Sequence, residues 1–315
     1  MKTISVLLDS DLNLSLRILS GVQESLSSFP DVRVVPLHYN QTETLEHLLD
    51  LGNVQGVVGA FLGDRWLERL LRFKIPIVNV GSISEIRSIP SVTADFHQAG
   101  VLAARHFADN GWKRTALVHE RALFASRQLY EGFLSEASAN QMTPEVLPDG
   151  VICSDAVSLE AWLAQLPENT GCFCTSDFLA RQVAHALNKI NRRVPDSIGI
   201  IGVGDSMLDS VLASVTLSSI VIPDKQIGLR AATLLMNMLN TGTRTAESEK
   251  IPPLRIIVRE SSAFFQYADP IVNKAIAYMV SNLFSPCGTE ELAHNCGASK
   301  RSLEMRFQTI FGHAP

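Results

Sequence analysis

The chain has 315 residues, 46% of them apolar, with 27 Lys and Arg against 32 Asp and Glu for a net charge of −5. That is material for two or three domains with substantial cores, and it excludes a uniformly basic surface of the kind that holds nucleic acid without sequence preference. No stretch approaches the roughly 18 uninterrupted apolar residues of a membrane span, and residues 1–11 lack the apolar core of a secretory signal, so the expected location is the cytoplasm, with no membrane partner.

The N-terminal part alternates short apolar strands with amphipathic helices. Residues 4–8 are an apolar run, and Leu12, Leu16, Leu19, Val22 and Leu26 then recur at helical spacing. A strand over 32–37, a helix over 42–51, a strand from 55, a helix over 65–73 and a strand over 76–80 continue the rhythm. It predicts βαβ units, a parallel sheet and right-handed crossovers. Residues 91–95 lead into a helix over about 97–110, with Gly111 at its C-cap position. A second series begins there, with strands over 115–119, 145–147, 171–174 and 198–203 and helices near 126–139, 156–166 and 178–190. Residues 215–222 run towards a long helix over 224–239, residues 243–250 read as a polar surface loop, and 254–259 as a last strand. The predicted fold class is therefore α/β with two lobes in residues 1–262, each built on a parallel sheet. Lobe 1 takes about 1–97 plus 220–245, and lobe 2 about 98–219 plus the closing strand. Ligands of such sheets sit at the C-terminal ends of the strands.

Residues 264–269 form a short linker, and 263–315 read as a small all-α domain. Pro270 suits the first turn of a helix running to about 282. Thr289 is an N-cap candidate ahead of Glu290 and Glu291, where a helix dipole favours negative charge. Leu292 and Ala293 pack that helix, and the turn at Cys296, Gly297 and Ala298 needs a residue tolerant of positive φ. Ser299 caps a second helix whose Leu303, Phe307 and Ile310 share one face. The opposite face is left for Lys300, Arg301, Glu304 and Met305. This reads as a helix-turn-helix whose second helix can lie in a major groove, although an ordinary helical hairpin fits the same spacing. Arg301, Glu304 and Met305 are the candidate base contacts, and Lys300 and Arg306 the candidate phosphate contacts. Over 269–315 the four basic residues balance Asp269, Glu290, Glu291 and Glu304, so phosphate affinity from this part alone is modest.

Five cysteines at 153, 172, 174, 287 and 296 form neither a disulfide framework nor a zinc spacing. Cys172 and Cys174 fall on one face of a strand and read as buried thiols. No metal or cofactor is expected.

Two resemblances rest on these residues. The run 290–315 is similar to the first helix-turn-helix of the AraC family of transcription regulators, with Leu292, Ala293, Ser299, Leu303, Phe307, Gly312 and Pro315 in register. Val92-Thr93-Ala94-Asp95 with Ala99-Gly100, Ser126-Arg127 with Glu131-Gly132-Phe133, Thr175-Ser176-Asp177 with Ala180, and the stretch from Val194-Pro195 to Asp205 are similar to the effector-binding domain of LacI-type regulators. That domain has the periplasmic-sugar-binding-protein fold. The order of the motifs resembles the XylR-like regulators, in which the two parts are fused, and it covers essentially the whole chain. The resemblance implies a ligand-responsive, DNA-binding transcription regulator whose lobes close on a small molecule. Its partners would be operator DNA, a sugar effector such as xylose, and a second copy in a homodimer. AraC-type domains carry two helix-turn-helix units joined by a long helix, and the chain stops at Pro315 where that helix would begin, which implies a truncated module.

Sugar recognition calls for carboxylates that accept from vicinal hydroxyls and a guanidinium that donates in a planar fork. Asp95, Asp177, Asp205 and Arg127 are the strand-end residues that supply this, with helix capping or a surface ion pair as the competing role, above all for Asp177. The family's effector-contacting arginine stands three residues before Gly132, where this chain has Leu129, and Gly204 occupies the place of the family's first acidic residue in the stretch around 201–206. The alternatives are a ligand sensor without DNA function and an α/β enzyme. For an enzyme, Gly202-x-Gly204 lacks the third glycine of a phosphate loop, and no nucleophile elbow or metal-binding His spacing is present.

Overall fold

The computed structural model describes residues 2–9, 13–120, 122–148, 156–244, 247–263, 269–282 and 287–315. In chain order its first elements are β1 (Lys2–Leu8), α1 (Asn13–Leu26), β2 (Val32–His38), α2 (Thr42–Asp50), β3 (Gly56–Gly59), α3 (Asp64–Leu71), β4 (Ile77–Asn79), β5 (Val92–Ala94) and α4 (Phe96–Asp109). Then come β6 (Arg114–Val118), α5 (Phe124–Ala139), β7 (Pro144–Val146), α6 (Ala156–Gln165), β8 (Thr170–Cys174), α7 (Asp177–Lys189), β9 (Ile198–Val203), α8 (Met207–Leu212), β10 (Ser218–Val221) and α9 (Asp224–Thr241). The chain closes with β11 (Glu249–Ile251), β12 (Arg255–Ile257), a 3-10 turn at Glu260–Ser262, α10 (Pro270–Ser281), α11 (Thr289–Asn295) and α12 (Lys300–Phe311). It divides into two compact units. Unit 1 comprises residues 1–99, 120–129 and 222–254, and unit 2 comprises 100–119, 130–221 and 255–315.

Unit 1 is built on a four-stranded parallel sheet in the order β2-β1-β3-β4. Strands β1 and β3 are buried along most of their length, which is why they read as unbroken apolar runs rather than alternating ones. One face is covered by α2 and α3 through Leu45, Leu49, Leu67 and Leu70 against Leu7, Val57 and Ile77. Helices α1 and α9 cross at two glycines. An added Cβ on Gly21 would stand 2.0 Å from the Lys225 carbonyl oxygen, and one on Gly228 2.0 Å from that of Ile18. Beside this crossing the Arg17 guanidinium donates to Asp224 through Nε and Nη2, at 2.9 and 2.7 Å. Burial pushes the Asp224 carboxyl up to about 6 even against the pull of Arg17.

Two expectations for this unit are corrected. The buried side of α1 is carried by Ser15, Ile18, Gly21, Val22 and Leu26, while Leu16 is 52% exposed. The stripe is rotated because a glycine sits in it, and hydrophobicity alone does not register a glycine; Leu12 lies outside the described residues. The stretch read as a polar loop contains β11, which pairs in parallel with β5 from Glu249↔Val92 to Ile251↔Ala94. Arg230 holds Glu249 with two hydrogen bonds of 2.9 and 3.0 Å. An edge strand made of charged residues has no apolar alternation to reveal it.

Unit 2 carries a six-stranded sheet in the order β12-β10-β9-β8-β6-β7, parallel except for β12, which pairs antiparallel with β10. One core joins Leu159, Leu163, Leu179, Val183 and Leu187 of α6 and α7 to Cys172, Cys174, Ile198 and Ile200. The expected thiol pair of β8, Cys172 and Cys174, is therefore buried. In the same unit Phe107, Phe133 and Phe173 are fully buried, with Phe133 stacked on Phe173 at 4.9 Å.

The last three helices share their own core of Val272, Ala275, Leu292, Ala293, Cys296, Leu303 and Phe307. Helix α11 starts from Gly288 with no side-chain cap, so Thr289 is its first residue rather than its cap. Gly297 takes φ +70 in the turn, and Ser299 Oγ accepts from the Ser302 amide to cap α12. Gly312 ends α12 in the left-handed conformation.

Candidate functional site

In unit 1 the strand order places β2 on one side of β1 and β3 on the other, so the connections leave β1 in opposite directions. At such a switch point the loops splay apart beyond the carboxyl ends of the strands and leave a crevice. A cavity of about 260 Å³ lies there. Its walls come from Leu8 and Asp9 at the end of β1, Tyr39 after β2, Ala60 and Leu62 after β3, residues 80–83 after β4, and Leu14, Ser15 and Ile18 of α1.

Asn79 fixes these loops. It is 1% exposed, its Oδ1 accepts from the Gly81 amide at 3.0 Å and the Phe61 amide at 3.4 Å, and its Nδ2 donates to Ser91 Oγ at 3.0 Å. One buried amide thus ties the turn after β3 to the turn after β4. The loop beyond is pinned by the Phe124 and Ala125 amides, which donate to the carbonyls of Ile83 and Ser82 at 2.8 and 3.0 Å. Asp9 faces His38 at 3.4 Å between Oδ1 and Nε2. Sequence pattern alone singles out neither Asn79 nor Asp9, and a polar residue interrupting the apolar run 77–80 is the one signal that could have found Asn79.

Of the four effector candidates, Asp95 and Arg127 belong to unit 1. Asp95 Oδ1 accepts from the Gln98 amide at 3.0 Å and so caps α4, while the Asp95 amide donates to the Ile251 carbonyl at 2.8 Å. Arg127 is exposed on α5. Its charge adds to the hydrogen bond from Arg87 that holds the Glu85 carboxyl below its ordinary range. No hydrogen bond or ion pair joins Asp95 to Arg127 among the described residues. Leu129, at the position of the family's arginine, is 1% exposed.

Asp177 and Asp205 are brought together in unit 2. Ser219 Oγ donates to Asp177 Oδ1 at 2.7 Å and accepts from the Asp205 amide at 2.9 Å. Asp177 Oδ2 accepts from the Ser206 amide at 2.6 Å. Asp177, an effector candidate, is turned inward. It is 3% exposed, and both its oxygens are used to tie the start of α7 to the ends of β9 and β10. Burial pushes its carboxyl up to about 6, against the pull of Ser206 and Ser219 and with a further push from Asp209 and Asp205. The competing cap role also falls elsewhere, since Ser176 caps α7. Asp205 stands at φ +50 with 30% of its side chain exposed, and accepts from Arg259 Nη2 at 2.7 Å.

The sequence matches the periplasmic binding protein-like domain family over residues 104–262, half of the chain. The chain belongs to that family. Among relatives of this periplasmic-binding-protein-like chain, the xylose operon regulatory protein of Escherichia coli K12 is 26% identical over 273 residues, covering 82% of this chain and 69% of that protein. Catabolite control protein A of Priestia megaterium is also 26% identical, covering 82% and 81%. Two solved structures share the fold. The xylose-binding transcription activator XylR superposes with a TM-score of 0.74 at 21% identity, covering 99% of this chain and 83% of that one. A LacI family transcriptional regulator from Enterococcus faecium with bound ribose gives 0.68 at 22%, covering 84% and 100%. No helix among the described residues is long and apolar enough to cross a membrane.

The C-terminal candidates of this periplasmic-binding-protein-like chain separate into two groups. Lys300 is 3.5 Å from Glu290, an exposed pair of little energetic consequence. Arg301 is exposed and Met305 is 62% exposed, one turn apart on α12, and Arg301 makes no hydrogen bond or ion pair among the described residues. Glu304 is half-buried beside them. Arg306, the other phosphate candidate, is engaged within the module. Its Nη1 pairs with Asp269 Oδ2 and its Nε donates to Ser302 Oγ at 3.2 Å, so the guanidinium joins α12 to the cap of α10.

Proposed function

We propose that this protein is a DNA-binding transcription regulator that responds to a small molecule, a sugar or sugar derivative, and is not an enzyme. The observation that carries the reading is Arg301. It is an uncommitted guanidinium in the first turn of a helix whose other face is buried in its own small core, which is the placement that lets a side chain reach base edges when the helix enters a major groove. The relatives, named as a xylose operon regulator and a catabolite control protein, support the same class. The helices α11 and α12 are then a helix-turn-helix of the AraC type, with Met305 and Glu304 beside Arg301 and Lys300 towards the phosphates. A helix-turn-helix module reads a short site, and operator binding by a homodimer would extend it. Effector binding at the strand ends changes DNA affinity; the candidate polar groups are Asp95 and Arg127 in unit 1 and, separately, Asp177 and Asp205 in unit 2.

On a duplex that the wild-type chain selects from a random pool, Arg301→Ala is expected to weaken binding by about 1–3 kcal/mol and to relax preference at one base pair. Lys300→Ala should weaken all sequences alike and lower the salt slope by about one. Equal, sequence-blind losses from both substitutions would remove Arg301 from base reading and with it the main support for this function.

A further inference from the structure

Among the described residues, the walls of the cavity at the strand ends of unit 1 are mostly apolar. A free pentose presents hydroxyls all round its ring, and each one that leaves water needs a partner. Among the described residues the lining is dominated by Leu8, Ile18, Val80, Leu14, Leu62 and Ile83, and its only side chain charged at neutral pH is Asp9. The last three of those apolar residues are also 41, 41 and 45% exposed. Three large apolar side chains left in water around one crevice mark a surface meant to be covered.

We infer that this cavity takes an apolar ring of the effector, so that the effector is a sugar derivative bearing an apolar group, such as an aryl glycoside, rather than a free pentose. This rests on the regulator reading given above and deepens it. The cavity, about 260 Å³, lies near the lower end of the range for small-molecule sites, roughly 300–1,000 Å³, which suits one ring rather than a larger body. Among the described residues Asp9, Ser15, Tyr39 and Ser82 line it with polar side chains against seven apolar ones, so most of the wall meets a ring rather than a hydroxyl. Asn79 and the amides of Phe124 and Ala125 hold the loops in place, so the walls stand ready before the ligand arrives.

The test is isothermal titration of the full chain with D-xylose, phenyl β-D-xylopyranoside and benzyl alcohol, repeated on Ile83→Asp. Ile83 is exposed enough that its thermal unfolding should match the wild type, and that match is the control for folding. The expected result is that at least one aryl probe binds roughly tenfold or more tightly than D-xylose, and that Ile83→Asp reverses most of that preference. D-xylose binding as tightly as the aryl probes, no binding of either aryl probe at millimolar concentration, or an unchanged aryl affinity in Ile83→Asp each overturns the inference. DNA affinity measured on the same samples separates the two claims. Retained DNA binding without aryl binding sinks the cavity assignment alone, while aryl binding without DNA binding sinks the regulator reading and leaves the cavity assignment standing.

Discussion

Gly228→Ala is expected to lower the stability of unit 1 by roughly 3 kcal/mol or more, the upper range of core overpacking, seen as a fall in Tm of about 10 °C. The added methyl would stand 2.0 Å from a backbone carbonyl oxygen on the neighbouring helix, with backbone carbon and nitrogen of the same helix at 2.9 and 3.0 Å. No rotamer change relieves a contact with backbone, so α1 and α9 must move apart. That separation also strips Asp224 of Arg17, its hydrogen-bond partner. Gly21→Ala meets the mirror-image contact, and the double variant should cost clearly less than the sum of the two, because the helices are already apart after the first substitution. Hydrogen exchange should speed up across both helices. Additive effects, or a Tm within a degree or two of the wild type, would mean that the helices can accommodate the methyl without separating.

Asp177 makes the stability of unit 2 depend on pH in an unusual direction. Its carboxyl titrates at about 6 in the folded chain, against 3.8 for an unperturbed aspartate. A raised folded value means that the native state binds the proton more tightly than the unfolded chain. The stabilisation is therefore fully present below about 3.8 and lost as pH rises through about 6. A separation of about two pH units between the folded and unfolded titrations corresponds to on the order of 3 kcal/mol. Asp177→Asn has no proton to lose, so relative to the wild type it should gain about that amount between pH 4 and pH 7. A constant offset accompanies this gain, because the amide nitrogen cannot accept from the Ser206 N–H. Urea midpoints followed by Trp112 and Trp162 fluorescence, both in unit 2, give the comparison. Parallel profiles for the two proteins would show that Asp177 is ionised alike in the folded and unfolded chains.

The alternation of strands and helices is legible in the sequence because each buried strand is a run of apolar residues and each covering helix has its own period. Strands β1, β3, β8 and β9 and helices α4, α5, α7 and α9 fall close to where the pattern puts them. β11 and α8 escape the pattern for one reason. Glu249 and Lys250 enter a strand by pairing with β5 and leave only Ile251 to be buried, and α8 leaves Met207 and Val211 77 and 74% exposed, so neither shows an apolar period. At the candidate sites the sequence places carboxylates at strand ends, where they stand, without telling which of them fold inward. Asp177 is turned inside by the hydroxyl of Ser219, 42 residues away in the chain, and Arg306 is taken by Asp269, 37 residues away. Pairings at that separation belong to the fold. The cavity lining is likewise assembled from four strand ends, so its apolar character emerges only when Leu8, Leu62 and Ile83 come together around it.

The central claim is that α12 reads DNA, and it is tested most directly by selection. The purified chain is incubated at about 150 mM salt, where non-specific phosphate contacts are weakened, with a pool of random duplexes, and the bound fraction is sequenced over successive rounds. The expected result is enrichment of one short motif, repeated at a spacing of whole helical turns if two copies bind together, and loss of one defined base preference in Arg301→Ala. A pool that stays random through every round, with the chain folded by circular dichroism, would contradict it.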